Sequence, residues 1–485
     1  MAEYTIKSSA ELPTTRTRMG IDATTLAYLE WLVLEDAERQ AKYKEYRRYY
    51  DGDHDVMLTE RQKAFLELTA RQEFSANYCS LVVDELERRM TVSGFDADGN
   101  SELGGESGQL WKWWRLARMD SKQSDTHLAA TRDGDAYVIV SWDQVRGRPA
   151  FHANMAFDGS EGVKVHYSDE TGEVEFASKR WVIKLGEDVA RTRMNLYYPD
   201  RVERWVSDGK GWELYSSDDQ DAIMSWVNQR TQQPLGVPVF HLKYKPAGYR
   251  WGRSILEDVI PMQNALNKAI VDVIAAADTT GFRLYWATGT DLLDDDDEPI
   301  SIHPGTWIVA TAPDARVGYM PGEDLRPLIE VVDMCKVSIA QVSETPMHLF
   351  QVSGQNASEG AQKQQEVGMI NKAEKLGISI GNFWEDCMDM AIKLSNAFDN
   401  TSYPEDLILS THWADMEVRD KTTRRQQVAE TAKTWVDAGS SLEEAAKEAG
   451  VPAERATELG SNLMLLMPGV IPGGNSAETE PDDTA

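Results

Sequence analysis

The chain has only three cysteines, Cys79, Cys335 and Cys387, far apart and each inside a helical pattern. That spacing excludes a disulfide framework or a zinc cluster and reads as three small core hydrophobes. The eight histidines are equally scattered and never fall in a His-Glu-x-x-His spacing. The phosphate-cradling Gly-x-x-x-x-Gly-Lys-Ser/Thr loop is missing too. Long apolar runs are absent: Val271–Ala277 is interrupted by Asp272 and falls well short of the roughly 18–20 residues a membrane span needs. The first ten residues have no apolar stretch of the kind that drives secretion, so a cytosolic product is expected. No cofactor, metal site or catalytic nucleophile is expected.

Positive charge is also scarce. Fifty Lys and Arg stand against eighty Asp and Glu, a net charge of −30. Proteins that grip duplex DNA do so by releasing counterions with Lys and Arg, and most of this surface is unsuited to that. The deficit reads as solubility, or as a surface that meets nucleic acid without holding it. Hydrophobic residues at 41% and charged ones at 27% are ordinary for a globular protein with real cores. The length suits two to four domains.

The first hundred residues read as helices. Tyr28, Leu29 and Leu32 open the pattern, Lys42–Tyr50 continues it to Asp51-Gly52-Asp53, and Tyr78, Leu81, Val82 and Leu86 form a stripe between Phe74 and Met90. Trp111, Trp113 and Trp114 belong to a short helix expected to bury two of the three rings. From Ala136 to Tyr215 the period changes to two. Ala136–Trp142, Val163–Tyr167, Val174–Lys184 and Val202–Val206 are β-rich segments separated by turn signals. Sequential short strands mean an antiparallel sheet, hence an α+β fold class.

Helical signals return at Ser254, where Ser254 and Glu257 have the spacing of a capping box. Ile255, Val259, Met262, Leu266, Ala269, Val273 and Ala276 then alternate by four and three, the seam of a helix that packs along its length. Pro261 is expected to kink it or mark a second start, and Asn264, Asn267 and Lys268 are expected away from the seam. After Gly281 comes an insert over 282–324, with strand-like Arg283–Ala287 and Thr306–Thr311. It has nine acids, including Asp291, Asp294, Asp295, Asp296, Asp297 and Glu298, against only Arg283 and Arg316. Consecutive carboxylates on a loop without histidines read as a solvated tip and not a metal centre.

A second helix, Leu325–Val342, has Asp324 as N-cap and Pro327 in its first turn. A polar loop follows Thr345-Pro346. One long helix then begins near Ser358, with Ile370, Ala373, Gly377, Ile380, Trp384, Cys387, Ala391 and Leu394 as its seam. About forty residues make a rod of roughly 60 Å. Leu407–Trp413 is strand-like, and Arg419–Leu466 is helical, with a capping box at Ser441–Glu444. The last twenty residues are expected to be disordered. From Lys336 to Lys363 there is no intervening Lys or Arg, whereas Gln341, Ser343, Thr345, His348, Gln351, Gln355 and Asn356 supply neutral hydrogen-bonding groups.

This order of elements, and the wording at four places, resembles a known family. Gly252-Arg-Ser-Ile-Leu-Glu-Asp-Val-Ile-Pro-Met-Gln-Asn-Ala-Leu-Asn-Lys268 is similar to the first stem helix of phage portal proteins of the SPP1 Gp6-like family. Phe282–Gly289 resembles the start of the clip in members from actinobacterial phages. Glu344-Thr345-Pro346 and Ser353–Gln362 resemble the tunnel loop and the start of the long helix. The resemblance implies an N-terminal wing at 1–251, stem helices at 252–281 and 325–343, and a clip at 282–324. It further implies a tunnel loop at 344–357, a long helix and wing strand at 358–415, a crown at 416–466 and a disordered tail at 467–485.

The function so implied is a homo-oligomeric ring, commonly of twelve subunits, at one capsid vertex, assembled in the host cytoplasm and carried in the virion. Its implied partners are the terminase large subunit, head-completion or adaptor proteins, and the major capsid and scaffold proteins. Double-stranded DNA passes through transiently and no membrane is involved. The family has no catalytic residues. Glu344, Thr345, Pro346, His348, Gln351, Gln355 and Asn356 are the candidate channel loop; Asp291, Asp294, Asp295, Asp296, Asp297 and Glu298 are the candidate docking face. Two alternatives stay open: another oligomeric connector or minor capsid protein, and a metal-dependent nuclease using Asp294–Asp297.

Overall fold

The switch from helical to alternating periodicity falls at Asp135, where a buried strand begins directly after a helix. The computed structural model describes residues 23–56, 76–105, 108–185, 189–209, 211–216, 221–248, 250–281, 285–288, 314, 316–319, 324–350, 359–399 and 401–415. The chain divides into two compact units, Met1–Met416 and Glu417–Ala485, and all described residues lie in the first. The acids at 291–298, the strand expected at Thr306–Thr311, the helical region at 419–466 and the tail lie outside the described residues.

The N-terminal helices are α1 (Ala23–Leu34), α2 (Ala37–Tyr50), α3 (Cys79–Glu87), α4 (Gln109–Leu116) and α5 (Met119–Asp133). Strand β1 (Val92–Ala97) lies between α3 and α4. Nine strands follow α5: β2 (Asp135–Asp143), β3 (Arg148–Met155), β4 (Gly162–Tyr167), β5 (Val174–Leu185), β6 (Val189–Tyr197), β7 (Arg201–Ser207), β8 (Trp212–Leu214), β9 (Ile223–Ser225) and β10 (Val239–Lys243). They form an antiparallel sheet in the order β10-β2-β3 and a larger one in the order β4-β5-β6-β7-β8, with β9 also paired to β7. The remaining elements are α6 (Leu256–Gly281), the pair β11 (Tyr285–Thr288) and β12 (Arg316–Tyr319), α7 (Arg326–Ser343), α8 (Glu359–Phe398) and β13 (Leu409–Trp413). Strand β13 returns to pair antiparallel with β1. The fold is α+β, as its alternating patterns predict.

Helix α8 organises the main core. Ala373, Ile380, Trp384, Cys387, Ala391 and Leu394 of its seam are all buried, and the Gly381 carbonyl accepts the Thr411 hydroxyl of β13 at 3.2 Å. Trp384 meets Trp114 edge-on at 4.8 Å between ring centroids, and Trp114 meets Phe95 at 5.2 Å. Trp113 and Trp114 are the two buried rings of α4. All three cysteines are buried and free. A second cluster packs Leu29 and Leu32 of α1 on Phe176, Leu196, Tyr198 and Trp205 of the large sheet.

One fully buried polar group in this core is His127. Trp384 donates its Nε1–H to His127 Nε2 at 3.0 Å, so Nδ1 carries the proton and donates to the Met90 carbonyl, also at 3.0 Å. Both nitrogens are satisfied in the neutral ring, and burial holds its pKa down to about 4 against 6.5. Between those two values the unfolded chain takes up a proton that the native state refuses. This contribution is therefore intact above pH 6.5 and lost as pH falls toward 4. Replacing His127 by Gln removes it. Urea unfolding should show the wild type losing up to about 3 kcal/mol relative to the variant between pH 7 and 4; parallel curves would refute the assignment.

A paired helical arm and its anchor as the candidate functional site

The chain runs out along α6, turns through the antiparallel β11–β12 pair and returns along α7. At 1.5 Å per residue the two helices are about 39 and 27 Å long. Val259, Leu266 and Ala269 of α6, with Ile255 just before it, are buried members of the expected seam, and Met262 is half-buried beside them. It is continuous through Pro261. Proline at this point sits early in the helix, where only one internal hydrogen bond is forfeited. The capping box forms by half. Ser254 Oγ accepts the Leu256 N–H at 3.0 Å, while Glu257 turns to Lys42 at 3.0 Å and Arg253 at 3.1 Å.

Helix α7 has three distinct faces. Cys335 and Ile339 are buried and Val332 packs against the same core. Beside them Val331, Met334 and Val342, at spacings of three and eight with Ser338 between, are exposed by 42%, 61% and 45%. Opposite the buried face, Glu330, Asp333, Val337 and Gln341 recur at three, four and four, a mainly polar and acidic stripe exposed to solvent. A helix packed on one side needs no exposed apolar stripe, so the second face is the unusual one. The N-cap position falls at Leu325 and not at Asp324 as expected; Asp324, one residue earlier, accepts the Arg326 N–H at 3.0 Å.

The arm is fixed at its base by a buried carboxylate. Asp135, fully enclosed at the first position of β2, accepts hydrogen bonds from Arg39 at 2.7 Å and the Tyr43 hydroxyl at 2.6 Å. Its other oxygen accepts the His241 Nε2–H at 2.9 Å and the Gly252 N–H at 2.7 Å. Burial alone would raise its pKa, yet the His241 and Arg39 partners hold it below the usual carboxylate value. Arg39 also donates to the Gly252 carbonyl, and Ser254 Oγ donates to the Arg132 carbonyl. Neighbouring Asp133 accepts from Arg47 at 2.9 Å and Arg132 at 2.7 Å. Gly252 tolerates no side chain, because an added Cβ would meet the Gly134 carbonyl oxygen at 1.9 Å.

A second latch corrects an expectation. Asn267, expected away from the seam, is completely buried, as is Gln263. Gln263 Oε1 accepts the Tyr78 N–H at 3.0 Å, and Asn267 Oδ1 accepts the Ala76 N–H at 3.1 Å. Asn267 also donates to His54 Nδ1 at 2.9 Å. The two amides stand one turn apart and satisfy main-chain groups just before α3, which no apolar residue could do.

At the far end of α7, the expected polar loop is only partly a surface. Glu344 is exposed and adopts a left-handed φ of 58°, and His348 is half-buried, 3.8 Å from Glu366. Thr345 and Pro346 are buried, a correction to their reading as loop surface. The hydroxyls of Ser343 and Thr345 are used internally: Ser343 donates to the Ile339 carbonyl at 2.7 Å and lies 2.8 Å from Thr345 Oγ1. Phe350 is buried against Tyr78, with ring centroids 5.4 Å apart. Gln351, Gln355 and Asn356 lie outside the described residues, as do Asp291 and Asp294–Glu298. Lys372 of α8 reaches back and donates to the Ser343 carbonyl at 2.6 Å, closing the C-terminus of α7 with a positive charge. Among the described residues no group of His, Cys, Asp and Glu is placed to hold a metal ion. The arrangement holds a helical pair rigidly and displays two of its faces.

Two measurements test the anchor. Asp135→Ala leaves Arg39 and His241 facing an apolar hole and should cost about 3–5 kcal/mol, read as a fall in the urea midpoint. A loss under 1 kcal/mol would refute the hub. Burial, with Lys245 adding to it, lowers the Lys372 pKa to about 8 from 10.5. The unfolded chain alone keeps that proton between pH 8 and 10.5, so stability rises with pH across this window. Wild type should gain about 2 kcal/mol over Lys372→Met between pH 8 and 10, and a constant difference would exclude a buried ammonium.

Comparison with known proteins places the arm in context. The family described as "Phage portal protein, SPP1 Gp6-like" matches residues 29–445. A portal protein of Mycobacterium phage L5 is 21% identical over 405 residues, covering 76% of this chain and 74% of the relative. A portal protein of Mycobacterium phage D29 is 22% identical over 369 residues, covering 70% and 68%. Among solved structures, a chain from the neck of an empty gene transfer agent particle, computed with C6 symmetry, aligns over 83% of this chain and 96% of its own. Its TM-score is 0.43 and its identity 11%.

Proposed function

Because the chain belongs to the SPP1 Gp6-like family of phage portal proteins, we propose that its paired helical arm is the stem of a ring. That ring surrounds a DNA channel at one vertex of the virion. The supporting observation is the exposed apolar stripe Val331, Met334 and Val342 beside the face that packs on α6. In a ring the stripe of one subunit is covered by the next. The opposite stripe of Glu330, Asp333 and Gln341 is left for the lumen, where fixed negative charge and neutral amides keep phosphates from binding. Residues 282–324 form the clip, 344–357 the tunnel loop and 416–466 the crown. Twelve subunits close the ring.

The clip acids Asp291, Asp294, Asp295, Asp296, Asp297 and Glu298 offer a docking face to a basic partner, the terminase large subunit during packaging and head-completion proteins afterwards. Major capsid and scaffold proteins contact the outer body, and assembly takes place in the host cytoplasm. The portal subunit performs no catalysis; ATP hydrolysis belongs to the terminase.

Native mass spectrometry with negative-stain images should give rings with a central hole and a mass near a dozen subunits. Met334→Glu should weaken association at least tenfold without lowering the unfolding midpoint. A closed dimer, or a variant that assembles as well as wild type, would sink the stem assignment. In packaging reactions, Gln351→Lys or Gln355→Lys should slow translocation by adding phosphate contacts, and unchanged rates would remove the loop from the channel.

A further inference from the structure

The large sheet has one face whose chemistry is opposite to that of the whole chain. Three successive cross-strand rows over β5, β6 and β7 are Ala177–Tyr197–Val202, Lys179–Asn195–Arg204 and Trp181–Arg193–Val206. Residues directly opposite across antiparallel strands share a face, so these nine positions bring together three cations and two aromatic rings with no acid among them. Over the whole chain acids outnumber bases by eighty to fifty. Part of this face forms one wall of a cleft whose other wall is the small sheet. One lobe, of about 580 Å3, holds Lys179, Asn195 and Tyr197 opposite Ala153, Asn154 and Met155 of β3. A second lobe of about 270 Å3 shares those first three residues and adds Arg204, His152 and Trp226.

The charges in and around the cleft are satisfied unequally. Asp158 is taken by Arg47 at 2.7 Å, and Glu161 accepts the Val182 N–H at 3.1 Å. Among the described residues Lys179, Arg193 and Arg204 have no carboxylate within ion-pair distance. Lys179 lies 5.7 Å from the Trp181 ring and Arg193 stacks on Tyr215 at 3.7 Å. Arg204 donates to the Asp221 carbonyl at 2.6 Å. Burial pushes the pKa values of Lys179 and Arg204 down, against a partial offset from Asp221 at Arg204.

The second wall says what kind of anion fits. Ala153, Asn154 and Met155 are consecutive residues of a strand, so the main-chain edge of β3 opens into the cleft. Strand β3 ends its sheet; Ala156, just after it, bridges to Val163 of β4, and among the described residues no strand pairs with the outer edge of Arg148–Met155 itself. An edge with free N–H and C=O groups accepts an extended chain. Duplex DNA, about 20 Å across, is too wide for such lobes.

We propose that this cleft is a docking site for an extended acidic peptide segment of a partner protein, its main chain against β3 and its carboxylates on Lys179 and Arg204. The site is separate from the helical arm and does not depend on the stem assignment. The test uses the full chain and a fluorescein-labelled ten-residue peptide of alternating Glu and Thr. Fluorescence anisotropy should show saturable binding that weakens at least tenfold from 50 to 500 mM salt. Lys179→Glu with Arg204→Glu should abolish it, and the milder Lys179→Gln with Arg204→Gln should weaken it at least tenfold, with thermal midpoints unchanged. A lysine–threonine peptide should not bind. The proposal falls if the acidic peptide does not bind wild type, or if both double variants bind it equally well. It also falls if a twelve-nucleotide single strand displaces the peptide and binds more tightly, which would make the cleft a nucleic-acid site.

Discussion

A fully buried carboxylate has to be given as many partners as it would have had in water. Asp135 meets that demand with four donors drawn from α2, from β10 and from the backbone just before α6. Everything distal in the molecule inherits its position from this point. The direction of α6 is set at Gly252, whose N–H and C=O are both held by the same network. His241 completes it: Nε2 donates to Asp135, so Nδ1 is left to accept from Tyr167 at 2.8 Å. The ring is neutral and fixed in one tautomer, and through Tyr167 of β4 the large sheet is tied to the same anchor. Removing any member leaves a buried charge or dipole without a partner, so the base of the arm resists piecemeal loosening.

Rigidity at the base matters because the arm is long. A helix pair of roughly 39 Å amplifies a small rotation at Gly252 into a large displacement at its tip. The second latch, Gln263 and Asn267 on the segment before α3, grips α6 two and three turns further on. Lys372 then ties the end of α7 to α8. The pair is thus held at three heights by polar contacts and between them by apolar packing. This geometry suits subunits that must close a ring with no accumulated angular error.

Much of this architecture was legible from periodicity. The seams of α6 and α8, the ends of α7 and four of the strands follow from apolar spacing, because burial of one face is what periodicity records. Strands such as Arg148–Met155 and Val239–Lys243 are not legible: the first is an edge strand with only two of its eight residues buried, and the second is short. The anchor was invisible for a different reason. Asp135 follows Gly134 at what looks like an ordinary turn, and Asn267 looks like any polar residue on a helix. Their importance comes from partners more than ninety residues away, and no local pattern carries that information. Thr345 misled in the opposite sense, a polar residue in a polar stretch that turns out to be enclosed with its hydroxyl beside Ser343.

The distribution of charge follows one logic across these parts. Several cations in the body are consumed by buried or half-buried acids: Arg39 by Asp135, Arg47 and Arg132 by Asp133, Lys164 by Glu35 and Asp36. The surplus of acids is therefore carried by the surface, where water and salt screen it. A surface of that sign repels the phosphate backbone everywhere at modest strength, and a conduit needs only that its lining should not hold a passing polyanion. It also makes any uncompensated cation conspicuous. Lys179, Arg193 and Arg204 share one face of one sheet, outside the helical arm. The same electrostatics that let DNA pass one region would draw an acidic chain to the other.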